Sequence, residues 1–124
     1  MPFDVAAARE ALKKREALRR QRLEELEARA EQDACRIIEM LKERYHPVRI
    51  YRWGSLLQPG RFREWSDIDI ALEGLSDPLA GLHALDDACR MTDFPVDLVE
   101  LDRIDPRHAA DIRSEGRLVY ERKE

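Results

Sequence analysis

Between Pro2 and Pro47 the chain contains neither glycine nor proline. A stretch of that length, rich in Ala, Leu, Glu, Lys and Arg, has one regular solution, a continuous α-helix. Asp4 is placed to cap its start. His46-Pro47 stops it, because a residue before proline avoids the helical region. The expected helix therefore runs from about Asp4 to Tyr45. Val5, Ala8 and Leu12 form one apolar stripe along it, and Leu23, Leu26, Ala30, Ala34, Ile37, Leu41 and Tyr45 form another. Arg15 and Arg19 break the stripe between them. The segment Ala34–Tyr45 is the most apolar and is expected to pack on a core. The chain thus divides into an exposed helical arm, residues 1–33, continuous with a domain at 34–124.

The arm is polarised. Residues 9–22 hold seven basic and two acidic side chains, and residues 24–33 hold five acidic and one basic. Positive charge toward a helix N-terminus opposes the macrodipole. Pairs such as Glu10–Lys14, Glu16–Arg20 and Glu25–Arg29 are expected to offset part of that cost. Two copies laid antiparallel set each basic half against the other's acidic half. Residues 5–33 are therefore a candidate homodimer contact, or a docking element for a charged partner; a plain solvated helix face is the competing reading.

After Pro47 the pattern changes to short β-prone runs. Val48–Trp53 alternates, Ile68–Leu72 and Val96–Leu101 are apolar runs, and Leu118–Tyr120 suits a last edge strand. Leu56-Leu57 begins a short helix or turn. Ser76-Asp77-Pro78 reads as a capped helix start, with Leu79, Leu82, Leu85 and Cys89 on one face of a helix reaching about Met91. Asp105-Pro106 starts another helix that closes near Gly116. The order α-β-α-β-α-β-α-β implies a small mixed α/β (α+β) sheet of three to four strands with flanking helices, behind a long N-terminal helix.

Bulk properties narrow the function classes. At 124 residues and 44% hydrophobic content there is material for one core. A net charge of −4 argues against a general nucleic-acid binder, so no direct nucleic-acid contact is expected. Cys35 and Cys89 have no metal-type spacing and read as small buried residues of a reducing compartment. No signal peptide or bilayer-length apolar run is present. A cytoplasmic location without membrane contact is the expectation.

The chemistry resides in one ordered set of residues. Gly54-Ser55 follows the first strand, a loop follows, then Ser66-Asp67-Ile68-Asp69, and Asp97 sits on a later strand. Residues two apart on a strand share a face, so Asp67 and Asp69 present two carboxylates side by side. Like charges so placed repel unless a cation binds. Oxygen ligands suit Mg²⁺ held together with a triphosphate. Asp97, in the apolar setting Val96-Asp97-Leu98-Val99, joins them if its strand is adjacent. Three carboxylates at one point can hold two metal ions about 4 Å apart, the arrangement for in-line nucleotidyl transfer. Gly54 leaves room for phosphate to approach the backbone, the Ser55 hydroxyl can donate to it, and Arg61 and Arg63 offer positive charge. Each feature alone is weak; the order and strand placement together carry the reading.

The string Trp53-Gly54-Ser55 through Ser66-Asp67-Ile68-Asp69-Ile70, followed by Pro95-Val96-Asp97-Leu98, resembles the nucleotidyltransferases related to DNA polymerase β. The resemblance covers about residues 34–120, and the short length is similar to the stand-alone minimal nucleotidyltransferases. The spacer from Ser55 to Asp67 is about one residue longer than in many members. The resemblance implies a nucleotidyltransferase fold and a phosphate site at Gly54 and Ser55; Ser66, Arg61 and Arg63 are further phosphate-binding candidates by their place in the loop. It further implies Asp67 and Asp69 as ligands of both metals, and Asp97 as a ligand of the catalytic metal that helps activate the acceptor hydroxyl. Mg²⁺, two ions, and ATP as substrate follow from it. It also implies a role: many stand-alone members are antitoxins paired with an all-helical HEPN-type ribonuclease toxin, and some transfer AMP to a tyrosine of that toxin. The arm is then a candidate toxin contact. A non-catalytic antitoxin that masks its partner through the arm, and a transferase acting on a small molecule, are the alternatives.

One string points elsewhere. Arg103 to His108 has the Arg-x4-His spacing of the HEPN ribonuclease motif. Pro106 inside it, the α/β surroundings and the lack of a tyrosine two residues after His108 argue against that identity. His108 reads as a surface residue on a short helix. His46 and His83 have no support as ligands. Trp53 and Trp65 flank the motif, with Trp53 expected in the core.

Overall fold

The computed structural model describes residues 2–123. Its first element, α1, spans Val5–Tyr45. The Asp4 side chain accepts from Ala7 N at 3.1 Å, as an N-cap should, and His46 closes the helix in the left-handed region with φ 48°. At 1.5 Å per residue α1 is about 60 Å long, far more than the domain beneath it can cover. Side chains from Val5 to Arg22 are exposed, Ala8 alone being half-buried. Cover begins at Leu23 and Leu26 and is complete at Ala30, Ala34, Ile37 and Leu41.

Four strands follow: β1 Arg49–Trp53, β2 Ile68–Glu73, β3 Val96–Glu100 and β4 Arg117–Glu121. They form one sheet in the order β3-β2-β1-β4. β1 is antiparallel to both β2 and β4, and β2 is parallel to β3. The parallel pair requires a crossover, supplied by α2, Ala80–Cys89. The last helix, α3, is Pro106–Glu115, with Asp105 accepting from Arg107 N at 2.8 Å and Pro106 in the first turn.

Strand alternation separates two cores. Ile50, Ile68, Ile70 and Leu72 face α1 and α2, packing on Ile37, Leu41, Ala84 and Ala88. Tyr51, Trp53, Ala71 and Val99 face α3 through Ala109 and Ile112. Arg52 points toward α1, is only 7% exposed, and forms a bidentate pair with Glu31. That pair fixes the root of the arm to the central strand.

Several sequence expectations are corrected. The buried face of α2 is Gly81, Ala84 and Ala88, whereas Leu79 and Leu82 are exposed. Small residues face the sheet because the helix lies close: a Cβ on Gly81 would overlap the Glu100 carboxylate. The helix starts at Ala80 rather than at Pro78, because Asp77 accepts from Leu79 N at 2.9 Å in a turn before it. Cys35 and Cys89 are both exposed, not buried. Leu56 and Leu57, by contrast, lie in a short helical turn as expected, the 3-10 helix Ser55–Leu57. On the arm, Val5 and Leu12 cover nothing. The expected Glu10–Lys14, Glu16–Arg20 and Glu25–Arg29 pairs do not form; among the described residues of the arm's basic half the one salt bridge is Glu10–Lys13 at 3.8 Å. No described helix is long and apolar enough to cross a membrane.

Candidate active site

The site stands where β1 ends and where β2 and β3 begin. In the parallel register Asp69 is beside Asp97, and in the antiparallel register Asp69 is opposite Trp53. Paired residues on neighbouring strands share a face, here the α3 face. Asp67 lies one residue before β2 and completes the cluster. One carboxylate oxygen from each of Asp67, Asp69 and Asp97 lies within 4.8 Å of the others. The three carboxylates that the sequence separates by up to thirty positions thus converge on one point.

Electrostatics records the cost. Burial, then the charges of Asp97 and Asp67, push the Asp69 carboxyl up from its ordinary value to about 7. Burial and then Asp67 also raise Asp97, partly offset by His108. A cation among the three would remove the repulsion that raises them. The donor set, three hard carboxylate oxygens on rigid strand ends, fits a magnesium-type ion that shares its shell with phosphate.

Gly54 has φ +82°, a conformation that side-chain-bearing residues rarely adopt. A Cβ at this position would overlap Oδ2 of Asp69. The glycine is therefore required first by the carboxylate beside it, a reason that the sequence pattern alone does not show. Ser55 follows, half-buried, at the start of the 3-10 turn; Leu57 N bonds Gly54 O and Gln58 N bonds Ser55 O, each at 3.2 Å.

The loop residues separate. Arg61 is exposed and lines a cleft of about 550 Å³ together with Trp53, Gly54, Ser55, Gln58 and His108. Arg63 turns back on its own loop, donating to Gly60 O at 2.7 Å and Phe62 O at 3.0 Å. It lines a different concavity, against Arg19, Arg20 and Glu27 of α1. Ser66 Oγ accepts from Arg63 N at 2.9 Å and shapes the loop.

His108 is exposed on α3, as its sequence context indicates, yet it also borders the site. Its ring meets Trp53 edge-on, centroids 6.0 Å apart at 89°. No spacing rule signals this, because the neighbour is created by α3 crossing the sheet. Trp53 packs in the α3-side core, and its buried Nε1 finds no partner among the described residues. Trp65 is exposed.

The family described as polymerase beta, nucleotidyltransferase, matches residues 36–124. The chain belongs to that family. The match takes in the four strands and every site residue named above. The arm precedes it. Among solved structures, a toxin–antitoxin crystal structure with AMP-PNP is 26% identical with a TM-score of 0.62, covering 73% of this chain and 74% of that one. A MntA–HepT toxin–antitoxin structure is 22% identical with a TM-score of 0.56, covering 74% of this chain and 73% of that one. A mutant of such a complex is 24% identical with a TM-score of 0.59, over 73% and 74% of the two chains. No curated protein sequence matches the chain.

Proposed function

We propose that the chain is a metal-dependent nucleotidyltransferase that moves AMP from ATP to a hydroxyl of a partner protein, releasing pyrophosphate, and that the partner is a helical HEPN-type ribonuclease toxin neutralised by the modification. The observation that carries the transferase half is the convergence of Asp67, Asp69 and Asp97 within 4.8 Å beside Gly54-Ser55. The partner half draws support from structural neighbours that are toxin–antitoxin assemblies, one of them with an ATP analogue.

The residues divide the work as follows. Asp67 and Asp69 would hold two magnesium ions and Asp97 would share the catalytic one; bound Mg²⁺ supplies Lewis acidity toward phosphate. Ser55 and the backbone of the 3-10 turn orient the phosphates, and Arg61 adds charge from the cleft. Ser66 holds the loop that delivers Asp67. The acceptor hydroxyl enters on the side of Asp97. On this reading the reaction takes place in the cytoplasm; no described helix is long and apolar enough to cross a membrane. Arg63, engaged by Gly60 and Phe62, is the least suited of the arginines to reach phosphate.

The test uses the full chain purified with its partner and ATP labelled on the α-phosphate. Label enters the partner in a magnesium-dependent way, and Asp67→Asn lowers the rate about a thousandfold or more. Undiminished labelling by the variant overturns the assignment. Protection by Asp67→Asn in cells, with no label transferred by the native protein, would instead favour masking.

A further inference from the structure

The charges toward the free end of the arm find few partners among the described residues, whereas those at its root, Glu31 and Asp33, are held by Arg52 and Arg36. Of the seven basic side chains in residues 9–22, Lys13 is the one that forms a salt bridge among the described residues. Among the described residues the exposed Glu24 and Glu25 likewise pair with no cation; Glu27 is half-buried, its Oε1 without a hydrogen-bond partner. Val5, Leu12 and Leu18 are each more than half exposed. The order of charge, basic first, opposes the helix dipole. Every term that stabilises such a segment by itself is weak, and still it continues α1 without a break.

We propose that the arm is an interface with a second copy of this chain, the two helices antiparallel, each basic 9–22 segment against the other's acidic 24–33 segment. Parallel pairing would set basic against basic. Antiparallel pairing is two-fold symmetric, so the same patch serves both partners and the assembly closes at two. The domain leaves a face free for it: Leu26, Ala30 and Ala34 turn inward, whereas Glu24, Glu25, Ala28, Arg29 and Gln32 are exposed. A nucleic acid suits this surface less well, because Glu24 and Glu25 would face its phosphates. The contact involves none of the three aspartates, so it stands or falls independently of the transferase reading.

Sedimentation equilibrium of the full chain tests it. The expected mass at low salt is twice the 14.5 kDa of the chain, falling to one chain at about 1 M salt, where the screening length is about 3 Å. Arg15→Glu/Arg19→Glu/Arg22→Glu removes the basic excess of residues 9–22, which then hold four basic and five acidic side chains; Glu24→Arg/Glu25→Arg reverses the exposed part of the acidic half. These positions are all exposed, so both variants keep the native thermal transition and serve as folded controls. Each alone associates about tenfold more weakly or not at all, and an equimolar mixture recovers the two-chain mass. A native chain that is monomeric at low salt overturns the proposal, including the case in which it associates with nucleic acid or an unlike protein alone. So does a mixture that stays monomeric, or a dimer indifferent to both reversals.

Discussion

Charge is concentrated at two places in this molecule, and the two are built in opposite ways. At the site, three carboxylates of one sign are packed together by strand register and partly buried, so that Asp69 is held at about 7. On the arm, both signs are spread along some twenty exposed positions and few of them meet. The first arrangement raises the energy of the fold, a cost that a bound cation would relieve. The second barely affects the fold and is informative only if another surface faces it. Buried charge identifies chemistry; exposed charge identifies company.

The contrast is open to direct test, the largest effect first. Leu41, fully buried under the sheet, and Leu12, over half exposed, lie on the same helix. Leu41→Ala is expected to cost about 2–5 kcal/mol in denaturant unfolding, against at most about 0.5 kcal/mol for Leu12→Ala at a dilution that keeps the chain monomeric. Equal costs would mean that the arm folds back on the domain and that the contrast is false.

Gly54→Ala tests the crowding of the site. Positive φ and the overlap with Asp69 are together expected to destabilise by about 1–3 kcal/mol and to displace the carboxylate. Magnesium should then protect the variant against thermal unfolding less than it protects the native chain. A variant as stable and as responsive to magnesium as the native protein would show that the turn can relax.

Titration sharpens the comparison further. The folded-state value of Asp69 is raised to about 7 from 3.8, so the folded chain binds the proton more tightly than the unfolded chain. Its contribution favours folding at low pH and is lost as pH rises from about 4 to about 7. Without divalent metal, melting temperature should fall across that window relative to Asp69→Asn, which should be more stable than the native chain above it by about 0.5–2 kcal/mol. Magnesium near pH 7.5 should reverse the order. A flat difference between the two proteins across the window would mean that the three carboxylates are solvated and independent. Reversing charges on the arm should leave this profile unchanged, the smallest effect of the series.

The sequence carried the site further than it carried the packing. Both ends of α1, at Asp4 and His46, are written in local rules, and so are the strands around the three aspartates. Their convergence required one inference, that the strand of Asp97 neighbours that of Asp69, and the parallel register supplies it. The inner face of α2 is not legible in the sequence, because leucine is more apolar than alanine or glycine, whereas a helix pressed close to a sheet selects for size. The exposure of Cys89 follows from the same rotation of the helix. His108 and the reason for Gly54 were illegible for a common cause: each depends on a neighbour distant in sequence that arrives only when α3 or β2 is in place. Arg61 and Arg63 look equivalent as text, but the carbonyls of Gly60 and Phe62 claim one of them.

The bidentate bridge between Glu31 and Arg52 has a mechanical consequence. Arg52 is followed directly by Trp53, the last residue of a strand whose alternate side chains face opposite layers, and then by Gly54 and Ser55. A rigid rod about 60 Å long is therefore clamped one residue away from the wall of the cleft. A load applied near Leu12 acts with a long lever arm on that clamp, and the strand has no loop or glycine between clamp and cleft to absorb it.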